Sequence, residues 1–492
     1  MAHGGLARVR GEWARLRNNK LIANASTYIS GSFVQRAFEF LLIPLWARFL
    51  SPDDYGIIGA MTSYSSILFN VLLLGLAGAI TRKYYDFLDD RHEQKRYVSS
   101  VALFQIGAAF AITLLLDRAS PWIWQAMQIE TIPFHPYVRL MLWWSYLRTL
   151  IQIPMTLYQT EQRAGRYLWV QYANFITNVG FSLLLVVLLR LGAAGQMWSN
   201  VVAALAVGLT FTVMMLRDWL VPGFSWAYVR SALAYGLPLV FQAVAGWTIN
   251  QAGRVILQWN ATLNELGLYT LGYNLGLVMN VLVMAVYQAW MPFYFRMMEQ
   301  DSNPNQSMRR IVSIYIALLG GLCMVGILFA SDIVYLLLPE KYYGSAPYVG
   351  PVLLGYFLSG LYYFAISPAY FYKKTRIIPL PTASIAVVNV ILNLIVIPRY
   401  GGIGSAWATT VTYALLMLVS LFIGQHYQRV PYPFARFALV LVLLLGAIFF
   451  AAMFTPLTWF GLLAKIVALL LFAALVGGML LIPALRKPPA AA

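Results

Sequence analysis

Acidic side chains are scarce in this chain: 17 Asp and Glu stand against 34 Lys and Arg in 492 residues, and charged residues of both signs make up only 10%. Soluble domains carry about a quarter charged residues, so a chain that is instead 61% hydrophobic is not one of them. Cysteine occurs once, at Cys323, which excludes a disulfide within one chain and any cysteine-rich metal site. There is no Gly-Lys dipeptide, so a Walker A phosphate loop, and ATP hydrolysis by that route, are excluded. Long polar stretches are missing too. The segments between apolar runs are shorter than about twenty residues, too short for an extramembrane catalytic domain.

What the sequence does contain is a succession of apolar runs of about 20 residues or more. They predict helices over 21–50, 54–81, 98–117, 137–160, 167–190, 194–216, 231–259, 264–295, 309–331, 346–372, 376–398, 402–424, 436–455 and 459–482. The fold class is an all-α polytopic membrane protein of fourteen transmembrane spans. The first run follows a basic segment, RVRGEWARLRNNK, but it is longer than a signal peptide's apolar stretch and has no small-residue cleavage site, so it is expected to remain as span 1.

The basic residues sort by side. Of the 34, 24 fall in the even-numbered gaps and the two tails, and only Arg48, Arg118, Arg139, Arg190, Lys341 and Arg399 fall in the odd-numbered gaps. The positive-inside rule then puts both termini in the cytoplasm. A missed or invented helix would invert this bias in every later loop, and no inversion occurs. The net charge of +17 therefore has a topological origin, and no nucleic-acid partner is expected.

The chain repeats itself. RLGAAGQMWSN from Arg190 and RYGGIGSAWAT from Arg399 share Arg, two Gly and Trp at an offset of 209, and DDYGIIG from Asp53 aligns with NELGLYTLG from Asn264 at an offset of 211. Six spans separate the copies, an even number, so the halves share one topology and form parallel repeats. The expected layout is a basic cytoplasmic segment 1–20, an N-lobe 21–216 of spans 1–6, a cytoplasmic linker 217–230, a C-lobe 231–424 of spans 7–12, and spans 13 and 14 with a cytoplasmic tail over 425–492.

Ionisable residues inside the spans cost roughly 2.5 to 3.5 kcal/mol each on insertion scales, and they face a protein interior or a wet cavity more readily than lipid. With a helical rise of about 1.5 Å per residue, Arg36 in span 1 and Arg148 in span 4 lie near the midplane, with Arg254 further toward the outer half of span 7. Guanidinium groups bind phosphate bidentately and keep their charge, so these three are the candidate anion site. Glu39, three residues from Arg36, either pairs with it or serves as a protonation switch. Asn250 and Gln251 extend the polar face of span 7, while Tyr273 and Tyr287, with Tyr362 and Tyr363, could offer faces to a sugar. Asn174 with Asn178, and Asn389 with Asn393, are one turn apart and read as interhelical hydrogen-bonding pairs. Asp53 and Asp54 follow Ser51 and Pro52. They could serve a glycosyltransferase, but Ser, Pro and acids in this order are what a helix start needs for itself. Lys465 could snorkel or meet lipid and is given no role.

Three stretches carry a resemblance: ISGSFVQRAFEFLLIPLWARFLSPDDYGIIGAM, AYGLPLVFQAVAGWTINQAGRVILQWNATLNELGLYTLGYNLG and NVILNLIVIPRYGGIGSAWATT. Together they resemble the polysaccharide-transporter branch of the multidrug, oligosaccharidyl-lipid and polysaccharide exporter superfamily. The third stretch is the most specific, and the likeness covers roughly the whole chain.

The resemblance implies two six-helix lobes in the bacterial inner membrane. It also implies a flippase rather than an enzyme, one that moves undecaprenyl-diphosphate-linked oligosaccharide for O-antigen or exopolysaccharide synthesis. It further implies a cationic cavity onto which Arg36, Arg148 and Arg254 map. No cofactor is expected. The partners would be the lipid-linked oligosaccharide, membrane lipid, a coupling H+ or Na+, and a polysaccharide polymerase. One departure stands out: relatives often carry an acid just before the arginine of span 7, and here that residue is Gly253. A peptidoglycan-precursor flippase, a cation-coupled drug exporter of the same fold and a membrane glycosyltransferase or polymerase are the alternative readings.

Overall fold

The computed structural model describes residues 20–87, 89–126, 131–374 and 377–481, and among these every regular element is helical. Most of the basic N-terminal segment, together with Arg376, Arg486 and Lys487, lies outside the described residues.

Fourteen spans are present among the described residues. Span 1 is Lys20–Phe49, and span 2 is Pro52–Leu72 continued by Leu76–Tyr84. Spans 3 to 7 are Arg91–Ala126, Arg139–Thr160, Ala164–Ser182 with the wider turns Leu183–Leu188, Gly192–Trp219 and Trp226–Asn260. Span 8 comprises Leu263–Gly276 and Val278–Gln300, span 9 is Pro304–Leu337, and span 10 is Ala346–Phe371. Spans 11 and 12 are the two arms of Pro379–Tyr427, bent at Gly401, and spans 13 and 14 are Phe434–Ala452 and Trp459–Val476. Hydropathy and length alone qualify eleven of these helices to cross a membrane.

The turn chemistry explains where the spans stop. Gly192 and Gly401, which the repeat aligns, have φ of 56° and 55°, a left-handed conformation that glycine adopts without a Cβ penalty. The matching turns of the two halves therefore share a positive-φ glycine, although Arg190 also takes a positive φ of 51° and its aligned partner Arg399 does not. At Gly401 the chain doubles back. Asn389 Nδ2 donates to Thr412 Oγ1 at 2.9 Å and Ser405 Oγ donates to Asn393 Oδ1 at 2.9 Å, pairing residues on either side of the bend.

Of the two acids after Ser51, Asp54 acts as a cap, and Asp53 stands beside it in the first turn of span 2. Ser51 N and Oγ both donate to Asp54 Oδ2 at 2.8 Å, and Asp54 N returns a bond to Ser51 Oγ at 3.1 Å, a reciprocal capping box. The same device recurs at the aligned position of the second half, where Glu265 N donates to Thr262 Oγ1 at 3.2 Å. There the Glu265 carboxylate is spent differently: its Oε1 accepts from Gly402 N at 2.7 Å and so caps the start of span 12.

The chain forms two compact bodies, one made of residues up to 43 plus 61–244, the other of 44–60 plus 245–492. The division does not run through the loop between spans 6 and 7. The turn joining spans 1 and 2 belongs to the second body, and the first half of span 7 belongs to the first.

In the first body, Leu72, Leu147, Leu150, Val170, Ala204 and Val207 knit spans 2, 4, 5 and 6, and Leu76, Ile80, Tyr97, Trp219 and Ala232 gather the basic-side ends of spans 2, 3, 6 and 7. Lipid gives no hydrophobic drive for such association, so close packing and buried polar links must hold it. Thr212 Oγ1 supplies one such link from span 6 to the Leu150 carbonyl of span 4 at 2.7 Å.

In the second body, span 10 is the most enclosed helix. Spans 9 and 14 are joined by a buried ion pair, Lys465 Nζ to Asp332 Oδ2 at 2.6 Å, and Asp332 Oδ1 also accepts from Leu457 N at 2.8 Å. Lys465 thus neither snorkels nor meets lipid. Its charge is met by an acid far earlier in the sequence.

Candidate functional site

Arg254 sits in the interior of the second body and is 4% exposed. Its Nη1 donates to Gln251 Oε1 at 2.9 Å and its Nη2 to Asn274 Oδ1 at 3.1 Å, while the guanidinium lies 4.7 Å from the centre of the Tyr273 ring. Its Nε is buried without a hydrogen-bond partner. Among the described residues no carboxylate pairs with it. Neutral amides and a ring face solvate the cation without cancelling it, so the site keeps a positive field in a medium of low dielectric. One turn away, Asn250 Oδ1 accepts from Tyr413 OH at 2.7 Å and Tyr356 OH at 3.2 Å, and Tyr356 and Tyr273 share a hydroxyl contact of 2.8 Å.

This places Asn250, Gln251 and Tyr273 in one network with Arg254. Asn274, Tyr356 and Tyr413 complete it and were not singled out from sequence. The available signal was Asn274, an amide set in the apolar start of span 8.

Gly253 explains the missing acid of span 7. A Cβ there would collide with Ser405 Oγ and lie 3.1 Å from Asn393 Oδ1, so the backbone of span 7 approaches the hairpin of spans 11 and 12 too closely for a carboxylate.

In the first body, Arg148 is half-buried, with its guanidinium 4.4 Å from the Phe69 ring centre and 5.2 Å from that of Trp144. It makes no ion pair among the described residues. Arg36 and Glu39 do not pair, which removes the local ion-pair reading. Glu39 Oε1 accepts instead from Gln35 Nε2 at 2.7 Å, and Gln35 Oε1 accepts from Gln171 Nε2 of span 5 at 2.7 Å. The side chains of Arg36 and Glu39 are both exposed on this body.

Asn178 Nδ2 reaches Asn200 Oδ1 of span 6 at 2.8 Å, an interhelical bond of the kind expected. Tyr287 stacks on Tyr363 with ring centres 4.0 Å apart, so each already offers one face to the other. Among the described residues no three His, Cys, Asp or Glu side chains come together to hold a metal.

Fourteen helices among the described residues make this a multi-pass membrane protein, and its fold is that of the multidrug, oligosaccharidyl-lipid and polysaccharide exporter superfamily. Among solved structures the chain is similar to the lipid II flippase MurJ in its inward closed conformation, with a TM-score of 0.74 at 14% identity, covering 93% of this chain and 99% of that one. It is also similar to an inward-facing MATE multidrug transporter, with a TM-score of 0.61 at 13% identity over 82% and 95% of the two chains. A membrane protein of Haemophilus influenzae is 21% identical over 407 residues, covering 81% of this chain and 94% of its own length. A product of the Lsg locus of the same organism is 20% identical over 370 residues, covering 73% and 87%. The pattern of the family described as "Polysaccharide biosynthesis protein" matches residues 45–347, and the chain belongs to that family.

Proposed function

We propose that the protein is a flippase that carries undecaprenyl-diphosphate-linked oligosaccharide across the bacterial inner membrane for surface polysaccharide such as O-antigen or exopolysaccharide. It works by alternating access between an N-lobe of residues 21–216 and a C-lobe of residues 231–424. The observation that carries this reading is Arg254, a buried cation held by Gln251 and Asn274 that no acid pairs with among the described residues. Such a group favours an anion, and a diphosphate supplies one. Arg148 and Arg36 of the first body are further candidates to meet the anion, Tyr287 and neighbouring rings of the second body meet sugar faces, and the polyprenyl tail stays in lipid. A cationic drug would be repelled by the same charges, which disfavours the drug-exporter reading.

Both termini are cytoplasmic in this reading, with the basic loops on that side. Glu39, tied to Gln35, is the candidate for H+ or Na+ coupling, and the membrane potential acts directly on an anionic cargo at roughly 2.3 kcal/mol per charge per 100 mV. A polysaccharide polymerase would consume the product. A second reading, a peptidoglycan-precursor flippase, is favoured by the likeness to MurJ.

One experiment separates the two. The gene is deleted and the lipid-linked intermediate that accumulates is identified by mass spectrometry. A multi-sugar diphosphate lipid lacking peptide supports the proposal. A disaccharide-pentapeptide lipid supports the second reading, and no accumulated lipid-linked intermediate overturns both.

A further inference from the structure

The basic side of the second body carries a groove remote in sequence from the arginines of spans 1, 4 and 7. It opens as a cavity of ≈ 530 Å³ lined by Asn303, Gln306, Arg309 and Arg429. Arg429 and Val430 also line the adjoining hollow, which is walled by Leu418, Leu421 and Phe434. Those last three residues in turn line an apolar slot of ≈ 270 Å³ that continues to Phe364, Phe437 and Ala438 between spans 9, 10, 12 and 13. One path therefore leads from two guanidinium groups into a slot walled by carbon.

The mouth of this path is built by fixed contacts. Gln425 clamps the backbone of Val430 twice, donating from Nε2 to its carbonyl at 2.7 Å and accepting from its N–H at 3.0 Å. Gln428, 6% exposed, donates to Asn305 Oδ1 at 2.7 Å and accepts from Tyr294 OH, tying the loop before span 13 to the first turn of span 9 and to span 8. These bonds hold the segment so that Arg429 is exposed at the mouth.

Neither Arg309 nor Arg429 makes an ion pair among the described residues. The nearby carboxylate of Asp301 is committed to Asn303 N at 2.9 Å and to Ser307 Oγ. Two uncompensated guanidinium groups beside amide donors recognise phosphate. A free phosphate would leave the slot unfilled, and a zwitterionic headgroup would bring its own cation toward the arginines.

We propose that this groove binds an anionic phospholipid from the leaflet on the basic side of the membrane. Its phosphate rests on Arg309 and Arg429, and one acyl chain lies in the slot against Phe364 and Phe437. The lipid would thereby bridge span 13 to spans 9, 10 and 12. This site does not depend on the cargo proposed above, since it is read by lipid binding and not by transport.

The test uses the full chain purified in neutral detergent, with binding of dioleoyl phosphatidylglycerol and dioleoyl phosphatidylcholine followed by native mass spectrometry. Phosphatidylglycerol is expected to bind on the order of tenfold more tightly than phosphatidylcholine. Arg309→Gln with Arg429→Gln should abolish that preference, whereas Arg217→Gln with Arg230→Gln, which removes the same charge elsewhere, should keep it. Ala438→Trp should weaken phosphatidylglycerol binding by filling the slot with both arginines intact. If the double variant does not fold, Arg309→Gln alone, at an exposed side chain, should reduce the preference severalfold. Equal binding of the two lipids by the wild type overturns the proposal, as does a preference that survives removal of the arginines. Displacement of the lipid by millimolar inorganic phosphate, with Ala438→Trp binding as the wild type, would show a site for free anions and also overturn it.

Discussion

Gly56 and Gly267 occupy equivalent positions in the two halves, and each leaves room for the backbone of the other's helix. A Cβ on Gly56 would collide with the Leu263 carbonyl, and one on Gly267 with the Pro52 carbonyl. Spans 2 and 8 thus cross with main chain against main chain, as small residues permit in membrane helices. Ala at either position is expected to cost about 1–3 kcal/mol by overpacking. Thermal melting of Gly56→Ala and Gly267→Ala in detergent checks this, and wild-type melting in both would mean that the crossing is loose.

The Lys465–Asp332 pair predicts an asymmetry between breaking it and replacing it. Asp332→Leu or Lys465→Met alone strands a buried charge and should destabilise by about 3–5 kcal/mol, whereas the two together should lie far closer to wild type. A double-mutant cycle on unfolding reads the difference. Additive single effects would contradict the pairing.

The aligned turns should respond unequally to the same substitution. Ala at Gly192 or Gly401 must adopt a left-handed φ, at a cost of about 1–2 kcal/mol. Gly401→Ala should cost more, because its methyl group would also strike the Glu265 carboxylate that caps span 12. Comparing the two melting temperatures tests this, and Glu265→Gln should lower stability by weakening the cap on Gly402.

Acid sensitivity should trace in part to Asp301, in the turn between spans 8 and 9. Hydrogen bonds from Ser307 Oγ and from the Asn303 backbone N–H hold its carboxyl below the usual range. Because the folded value is depressed, the stabilisation is complete above the unfolded value of about 3.9 and is lost as pH falls through the folded one. Asp301→Asn should therefore flatten the pH dependence of melting below about pH 4 relative to wild type. An unchanged profile would mean that this turn contributes nothing to acid lability.

Removing Arg148 or Arg254 as Ala should reduce surface polysaccharide by about tenfold or more at matched protein levels, since a charge-assisted phosphate contact is worth about 1.5–3 kcal/mol. Arg254→Lys should recover little, because one ammonium cannot satisfy both Gln251 and Asn274 in the planar geometry seen. Full export by both Ala variants would remove the phosphate-binding role.

Much of the fold was legible because its signals are local. Hydropathy marks each span, and the Ser51–Asp54 cap and the repeated Arg-Gly-Trp turn are short patterns that the structure renders as a capping box and matched glycine turns. What could not be read depends on distant partners. Lys465 looks like a lone cation until Asp332, on another span, is brought beside it. Arg36 and Glu39 satisfy the spacing rule for a helical pair, yet Glu39 is taken by Gln35, whose own oxygen is engaged by Gln171 of span 5. Spacing fixes which groups can meet, and the neighbouring helix decides which do. For Arg254 the charge was visible in sequence, but the amides that hold it were legible only in part, since Asn274 comes from the next span.

The exchange of ends between the two bodies has a consequence for any attempt to split the chain. A polypeptide stopping at residue 222 retains 44–60, which belongs to the second body, but lacks 226–244, which the first body needs. Neither fragment alone can finish its fold. Two fragments made together would have to trade these segments across a severed backbone, much as subunits of a swapped dimer do, so any activity from such a split gene would require co-assembly rather than two independently folded modules.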